Sequence, residues 1–223
     1  MREEIRSVKQ AVVILGLDKL RSLVIATGLI QRFHALPPAV SRRFWRHALQ
    51  TAQWSKRLCA YFKGVEADEV FLCGLLHNVG ELIIWQYLKP ELKRIEEQIK
   101  NGATRAESER AVLGCTRSEL AGELFTEWKM PKSIVESAAH SSEDLSTVRG
   151  IQGILAETLI VHMASAITGV DPNLDALDYD DTVNRIFADY RFHLGLPPGI
   201  SYDELSATVA GDLRELQPLF PEG

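Results

Sequence analysis

A compact all-α bundle of many helices is the fold class that this sequence predicts, and three observations predict it. Apolar residues recur at helical spacing along almost the whole chain. No run of alternating β-branched residues bounded by hairpin turns interrupts that spacing. Helix-start signals of the Ser/Thr-x-x-Glu type also recur, at Thr104/Glu107, Thr116/Glu119 and Ser201/Glu204. In that pattern a hydroxyl and a carboxylate satisfy amides that a helix leaves unpaired at its N-terminus.

Taken in order, the periodicity places helices over 5–14, 18–32, 41–62, 67–78, 80–88, 90–100, 105–113, 117–128, 131–140, 149–168, 182–193 and 202–216. Pro90 and Pro131 stand where a first helical turn tolerates a missing amide hydrogen, and Gly102 and Gly169 stand where C-terminal caps are expected. Two stretches read as loops: Ala35–Val40, which contains Pro37-Pro38, and Val170–Asp181, which carries five aspartates. The second lacks the central glycine and terminal glutamate of a calcium loop and reads as a solvated connection. Residues 1–170 form the main helical domain, and 171–223 add an acidic loop and a helical extension that packs on the same unit.

Composition bounds the function. The chain has 223 residues, 46% of them hydrophobic, which suffices for a sizeable core. A net charge of -5 argues against nucleic acid as a partner, since binding phosphates calls for a basic face. The local run Arg42, Arg43, Arg46, Lys56 and Arg57 is expected to be a solvated helix face. Cys59, Cys73 and Cys115 lie apart within apolar stretches and suit core packing in a reducing compartment, which points to the cytoplasm. Trp45, Trp54, Trp85 and Trp128, with Met130 and Met163, read as packing residues. The most apolar tract, 151–170, carries Glu157 and His162, so no membrane span is expected.

The chemistry-bearing pattern is His47 in Phe44-Trp-Arg-His, followed 30 residues later by His77-Asn78 in Gly74-Leu-Leu-His-Asn-Val-Gly-Glu-Leu. His77 closes an apolar helix, a position from which an imidazole points into an interhelical cavity. At these residues the sequence resembles the HDOD family, a subgroup of the HD superfamily, whose corresponding setting is Gly-Leu-Leu-His-Asp-Ile-Gly-Lys-Leu. The resemblance extends through Ala11-Val-Val-Ile-Leu-Gly-Leu-Asp-Lys-Leu20, then Glu109-Arg-Ala-Val-Leu-Gly-Cys-Thr-Arg-Ser-Glu-Leu-Ala-Gly122, and Trp128-Lys-Met-Pro-Lys-Ser-Ile-Val-Glu-Ser-Ala-Ala-His140. It covers roughly residues 5–170.

The resemblance implies an HD-superfamily-like helical bundle and a bacterial signalling or regulatory role. It also implies a chain that starts without the helices usually preceding 11–20, so that apolar surface near Val12, Leu15 and Leu20 would be covered by a partner or a second copy. The departures from the catalytic superfamily pattern are specific. Asn78 replaces the doublet aspartate, and Ser165 stands where the last carboxylate would be. Arg117 occupies a position where relatives have histidine, Ser141 follows His140 in place of a second histidine, and Glu81 stands where lysine is common.

Both anionic ligands of a divalent cation are thus absent, and Arg117 would repel one or attract a phosphate or carboxylate instead. No metal or other cofactor and no catalytic residue is therefore expected. His47, His77, Asn78, Arg117, His140 and Ser165 are expected to line a vestigial cavity open to a small ligand. The expected role is a non-catalytic module that binds a protein partner in a signalling pathway or a second copy of itself. The competing reading is a metal-dependent phosphohydrolase or cyclic-dinucleotide phosphodiesterase of the related HD-GYP type. It would explain the histidine layout, but the chain has no Gly-Tyr-Pro segment and no second acidic-histidine cluster.

Overall fold

The computed structural model describes residues 24, 28, 36–170, 176–197 and 199–216. The helices expected over 5–14 and most of 18–32, with the surface at Val12, Leu15 and Leu20, lie outside the described residues. Among those described, helices are the only regular structure: α1 Pro38–Cys59, α2 Ala67–Leu76, α3 Val79–Tyr87, α4 Lys89–Lys100, α5 Arg105–Leu113, α6 Arg117–Glu127, α7 Lys132–Ala139, α8 Leu145–Gly150, α9 Ala156–Thr168, α10 Ala176–Leu194 and α11 Tyr202–Leu216.

The local chemistry explains most boundaries. Thr104 and Thr116 each accept a bond at 3.2 Å from the amide of the glutamate three residues on. Glu107 and Glu119 answer by accepting from the threonine amides at 2.9 and 2.8 Å, closing two complete capping boxes. Ser201 gives only one side of the arrangement, accepting from Glu204 N at 3.4 Å. α5 stops at Gly114, whose φ of 81° is a left-handed conformation open to glycine.

Three departures from the sequence expectation have a local cause. α1 begins at Pro38 instead of 41, because Pro37 serves as the N-cap and Pro38 sits in the first turn, where no amide hydrogen is needed. The helix expected over 149–168 starts only at Ala156, after a short helix over Leu145–Gly150: Ile151 is extended and Gly153 has φ 76°, which breaks the hydrogen-bond ladder between α8 and α9. The loop expected to run to Asp181 gives way to α10 at Ala176, and Asp178 in its first turn favours the positive end of the helix dipole.

One core joins most of these elements. Phe44, Ala48, Ala52 and Leu58 of α1 pack with Leu72, Cys73 and Leu76 of α2, Phe125 of α6, Ile134 of α7, and Ile160 and Met163 of α9. Val183, Phe187 and Tyr190 of α10 and Leu205 and Val209 of α11 belong to the same core. α11 is fastened to α1 by Tyr202 stacked on Trp54, centroids 5.4 Å apart, and by Asp212 accepting from Arg57 Nε at 2.6 Å. A smaller cluster of Ile84, Leu92 and Ile95 ties α3 to α4.

Two close approaches position the site. A Cβ on Gly74 would lie 2.7 Å from Ala52 Cα, so α2 rests almost directly on the α1 backbone. A Cβ on Gly80 would lie 1.9 Å from the Arg117 carbonyl oxygen, so the start of α3 is pressed onto the start of α6. Only glycine permits either contact. No described helix is long and apolar enough to cross a membrane.

Candidate functional site

His47 projects from the middle of α1, and His77 directly follows the last residue of α2. The Gly74–Ala52 contact brings the rings together, with centroids 5.2 Å apart and an interplanar angle of 56°. Ser165 and Thr168 come from α9 and stand three residues apart on one helix face. His77 Nε2 lies 3.1 Å from Ser165 Oγ, His47 Nε2 lies 3.5 Å from that same oxygen, and His47 Nδ1 lies 3.3 Å from Thr168 Oγ1. Thr51, one turn beyond His47 on α1, reaches Thr168 Oγ1 at 2.9 Å.

The direction of these bonds follows from one fixed acceptor. The Gly74 carbonyl, 2.7 Å from His77 Nδ1, can only accept, so Nδ1 carries the proton and Nε2 is the bare nitrogen. Ser165 must then donate to His77 Nε2, which leaves its lone pairs for a proton on His47 Nε2. His47 Nδ1 lies against the Thr168 hydroxyl, whose proton is directed at the Ala164 and Ser165 carbonyls at 3.0 and 3.3 Å. A chain of donors thus runs from Ser165 through His77 to Gly74, with Thr51, Thr168 and His47 hydrogen-bonded around it.

Burial favours the neutral imidazole. His77 is 1% exposed, and burial, reinforced by the neighbouring His47, pushes its pKa down to about 3. His47 is also lowered by burial, against the opposing pull of the Glu81 carboxylate.

The remaining residues expected at the cavity are placed differently. Asn78 caps the start of α3, and its amide donates to Glu81 Oε2 at 2.7 Å. Glu81 Oε1 accepts from Arg43 at 3.0 Å. Arg117 opens α6; its amide donates to Glu109 Oε2 at 2.9 Å, and its guanidinium lies 3.8 Å from Glu109 Oε1. The Arg117 charge acts on both His47 and His77, and burial lowers its own pKa against the pull of Glu109 and Glu81.

His140 stands outside the hydrogen-bonded chain and pairs with Glu143 at 3.0 Å. Beside it His162, absent from the sequence-derived set, donates from Nε2 to the Glu143 carbonyl at 2.8 Å and accepts from the Tyr190 hydroxyl. Thr51, Thr168, Glu109 and His162 were all missed. Spacing offered a signal for two of them, since Thr168 lies three residues after Ser165 and Thr51 four after His47 on continuous helices.

The basic run on α1 meets acidic partners, Arg43 at Glu81, Lys56 at Asp68 (3.2 Å) and Arg57 at Asp212. Among the described residues, no three His, Cys, Asp or Glu side chains converge as a metal-ligand group. Both Nε2 atoms address the Ser165 hydroxyl, and the carboxylate hydrogen-bonded to the doublet residue Asn78, that of Glu81, is engaged by Arg43. As arranged, the residues do not fit the divalent cation of catalytic HD proteins.

An all-helical core carrying a His-Asn pair at a helix junction, faced by a second histidine, defines an HD-like helical domain. The chain belongs to the HDOD domain family, whose model matches residues 1–143. The fold is shared with a candidate phosphohydrolase from Shewanella amazonensis SB2B, at TM-score 0.67 and 23% identity, covering 93% of this chain and 73% of that one. An HDOD domain protein from Geobacter sulfurreducens aligns at TM-score 0.60 and 20% identity, covering 97% and 74%. The MmoQ response regulator of Methylococcus capsulatus aligns at 0.52 and 20%, covering 94% and 78%. These likenesses are of fold. No curated protein matches the chain.

Proposed function

We propose that this chain is a non-catalytic HDOD module that acts in signalling or regulation by binding another protein. The observation that carries this reading is the closed donor chain around His77. The ring nitrogens of His47 and His77 and the Ser165 hydroxyl, which could face a metal or a reacting group there, each already have a neighbour in the same protein. Metal-assisted hydrolysis needs an ion that acidifies its bound water, and an ion needs anionic ligands to offset its charge. Here the ring nitrogens, an amide and a hydroxyl are the only groups at the relevant positions. The response regulator among the structures of this fold is consistent with a regulatory role.

The test is metal content and turnover measured on one preparation. Protein incubated with manganese, iron or zinc and then dialysed should hold no stoichiometric metal, and it should hydrolyse neither phosphomonoesters nor cyclic dinucleotides. One equivalent of metal that survives dialysis and is lost in His77→Ala would overturn the reading, as would turnover that depends on His77.

A further inference from the structure

We propose that the outward face of α10 is a self-association surface, on which a second copy of this chain docks antiparallel across a two-fold axis. This goes beyond the reading above by naming a surface and its occupant, and the surface is distinct from the one expected at Val12, Leu15 and Leu20.

α10 buries one side and leaves the other apolar at both ends. Val183, Phe187, Tyr190 and Leu194 enter the core. Leu177 and Phe192, at 79% and 85%, are the most exposed large apolar side chains among the described residues. They stand fifteen residues apart, which at about 100° per residue returns them to within about 60° of one another. Asp181, Asn184, Arg185 and Ala188 lie along the same stripe, and all are exposed. The Phe192 ring stands edge-on to His193, with centroids 5.2 Å apart, so it is braced in its outward position.

The order of residues along the stripe selects a second copy as the occupant. A two-fold axis through the midpoint between Asn184 and Arg185 sets Leu177 against Phe192, Asp181 against Ala188 and Asn184 against Arg185 of the other copy. Each end of the face then joins a leucine to a phenylalanine. In the middle, Arg185 comes within one turn of Asp181 of the other copy, and symmetry makes that pair twice. Ala188 is small where the two backbones come closest. A parallel arrangement would instead oppose Asp181 to Asp181 and Arg185 to Arg185, which like charges disfavour.

The rim carries a cost, since Asp180 comes opposite Asp189 of the other copy. Both sit at about a right angle to the centre of the stripe, where water and salt screen the repulsion. The face is about 22 Å long. Such a contact lies at the lower end of specific interfaces, about 1,200 Å² in total, so the dimer is expected to have a Kd on the order of 10 µM.

The experiment is sedimentation equilibrium of the full chain over about 1 to 200 µM, a range that brackets the expected Kd. Wild type should pass from monomer to dimer. Phe192→Ser and Leu177→Ser should each weaken association at least about tenfold, because symmetry removes the contact twice, and should stay folded by circular dichroism because both side chains are exposed. Asp181→Arg and Arg185→Asp should each weaken it by about tenfold, since each reversal opposes two like-charged pairs. An equimolar mixture of those two variants should associate as wild type does, because between them only opposite charges meet, and the double variant Asp181→Arg/Arg185→Asp should do the same. A wild type that stays monomeric throughout overturns the proposal. A dimer unchanged by Phe192→Ser and by both reversals overturns it too, because another face would then form the contact. Loss in both reversals without recovery on mixing overturns the antiparallel pairing. Metal content and turnover are read separately, so each of these outcomes leaves the non-catalytic reading to its own assay.

Discussion

Protonation of His77 should make the fold acid-labile in a range where most small domains are still stable. The imidazole is neutral, fully enclosed, and hydrogen-bonded as a donor to Gly74 and an acceptor from Ser165. Its pKa falls from the ordinary 6.5 to about 3 on folding. A base whose folded pKa is depressed binds protons less readily in the native state than in the unfolded chain. Its neutral-state stability is fully present above the unfolded value and is lost as pH falls towards the folded value.

The window is therefore 6.5 down to about 3. At about 1.4 kcal/mol per pH unit, acidification to about pH 5 removes about 2 kcal/mol through His77 alone. Urea unfolding at about pH 7, 6 and 5 measures this in wild type and His77→Gln. The variant should be less stable at neutral pH because it breaks the donor chain, but its stability should decline less with acid. The gap between the two proteins should thus narrow by about 2 kcal/mol from pH 7 to pH 5. A constant gap across that range would refute the assignment of a buried neutral imidazole to His77.

Two further outcomes test the packing that builds the site. Gly80→Ala should cost about 3 kcal/mol in urea unfolding, because its Cβ would meet the Arg117 carbonyl oxygen at 1.9 Å and only backbone movement relieves that; Gly150→Ala, with nothing within 4 Å, should be near neutral. Lys129→Gly should raise the melting temperature by an amount corresponding to about 0.5 kcal/mol. Lys129 has φ 53° at the C-terminal end of α6, where its amide bonds the Thr126 carbonyl at 2.9 Å, and a residue without Cβ adopts that conformation at lower cost. A lower melting temperature for Lys129→Gly would show that its side chain contributes more than its backbone costs.

The fold class was legible because helical periodicity and capping chemistry are local properties. Thr104 and Thr116 announce α5 and α6 through bonds that span three residues, and both boxes form as written. What was hidden depends on competition between local signals. Gly153 and the extended Ile151 outweigh an apolar stretch that reads as one helix, and the aspartates before Val183 proved compatible with the first turns of α10. The site shows the same division. His47 and His77 stood out because each sits on a recognisable helix, and Ser165 because it takes the place of an expected carboxylate. Glu109 opened a matched stretch, but nothing in that stretch announced its bond to the Arg117 amide, which crosses eight residues and a helix boundary.

Asn78 shows why residue identity at a motif position does not fix what the residue does. Read in sequence, it stands for a lost ligand beside His77. In the folded chain its amide donates to Glu81, and Glu81 in turn accepts from Arg43 on α1, so the position links α3 to α1. An aspartate there would set a second carboxylate against Glu81 at hydrogen-bond distance, a like-charge contact that would be stable only with a cation or a proton between them. Asparagine removes that need. The loss of one carboxylate at position 78, the presence of Glu81 and the arginine at 43 are therefore parts of one charge balance, in which Glu81 keeps a donor from each side.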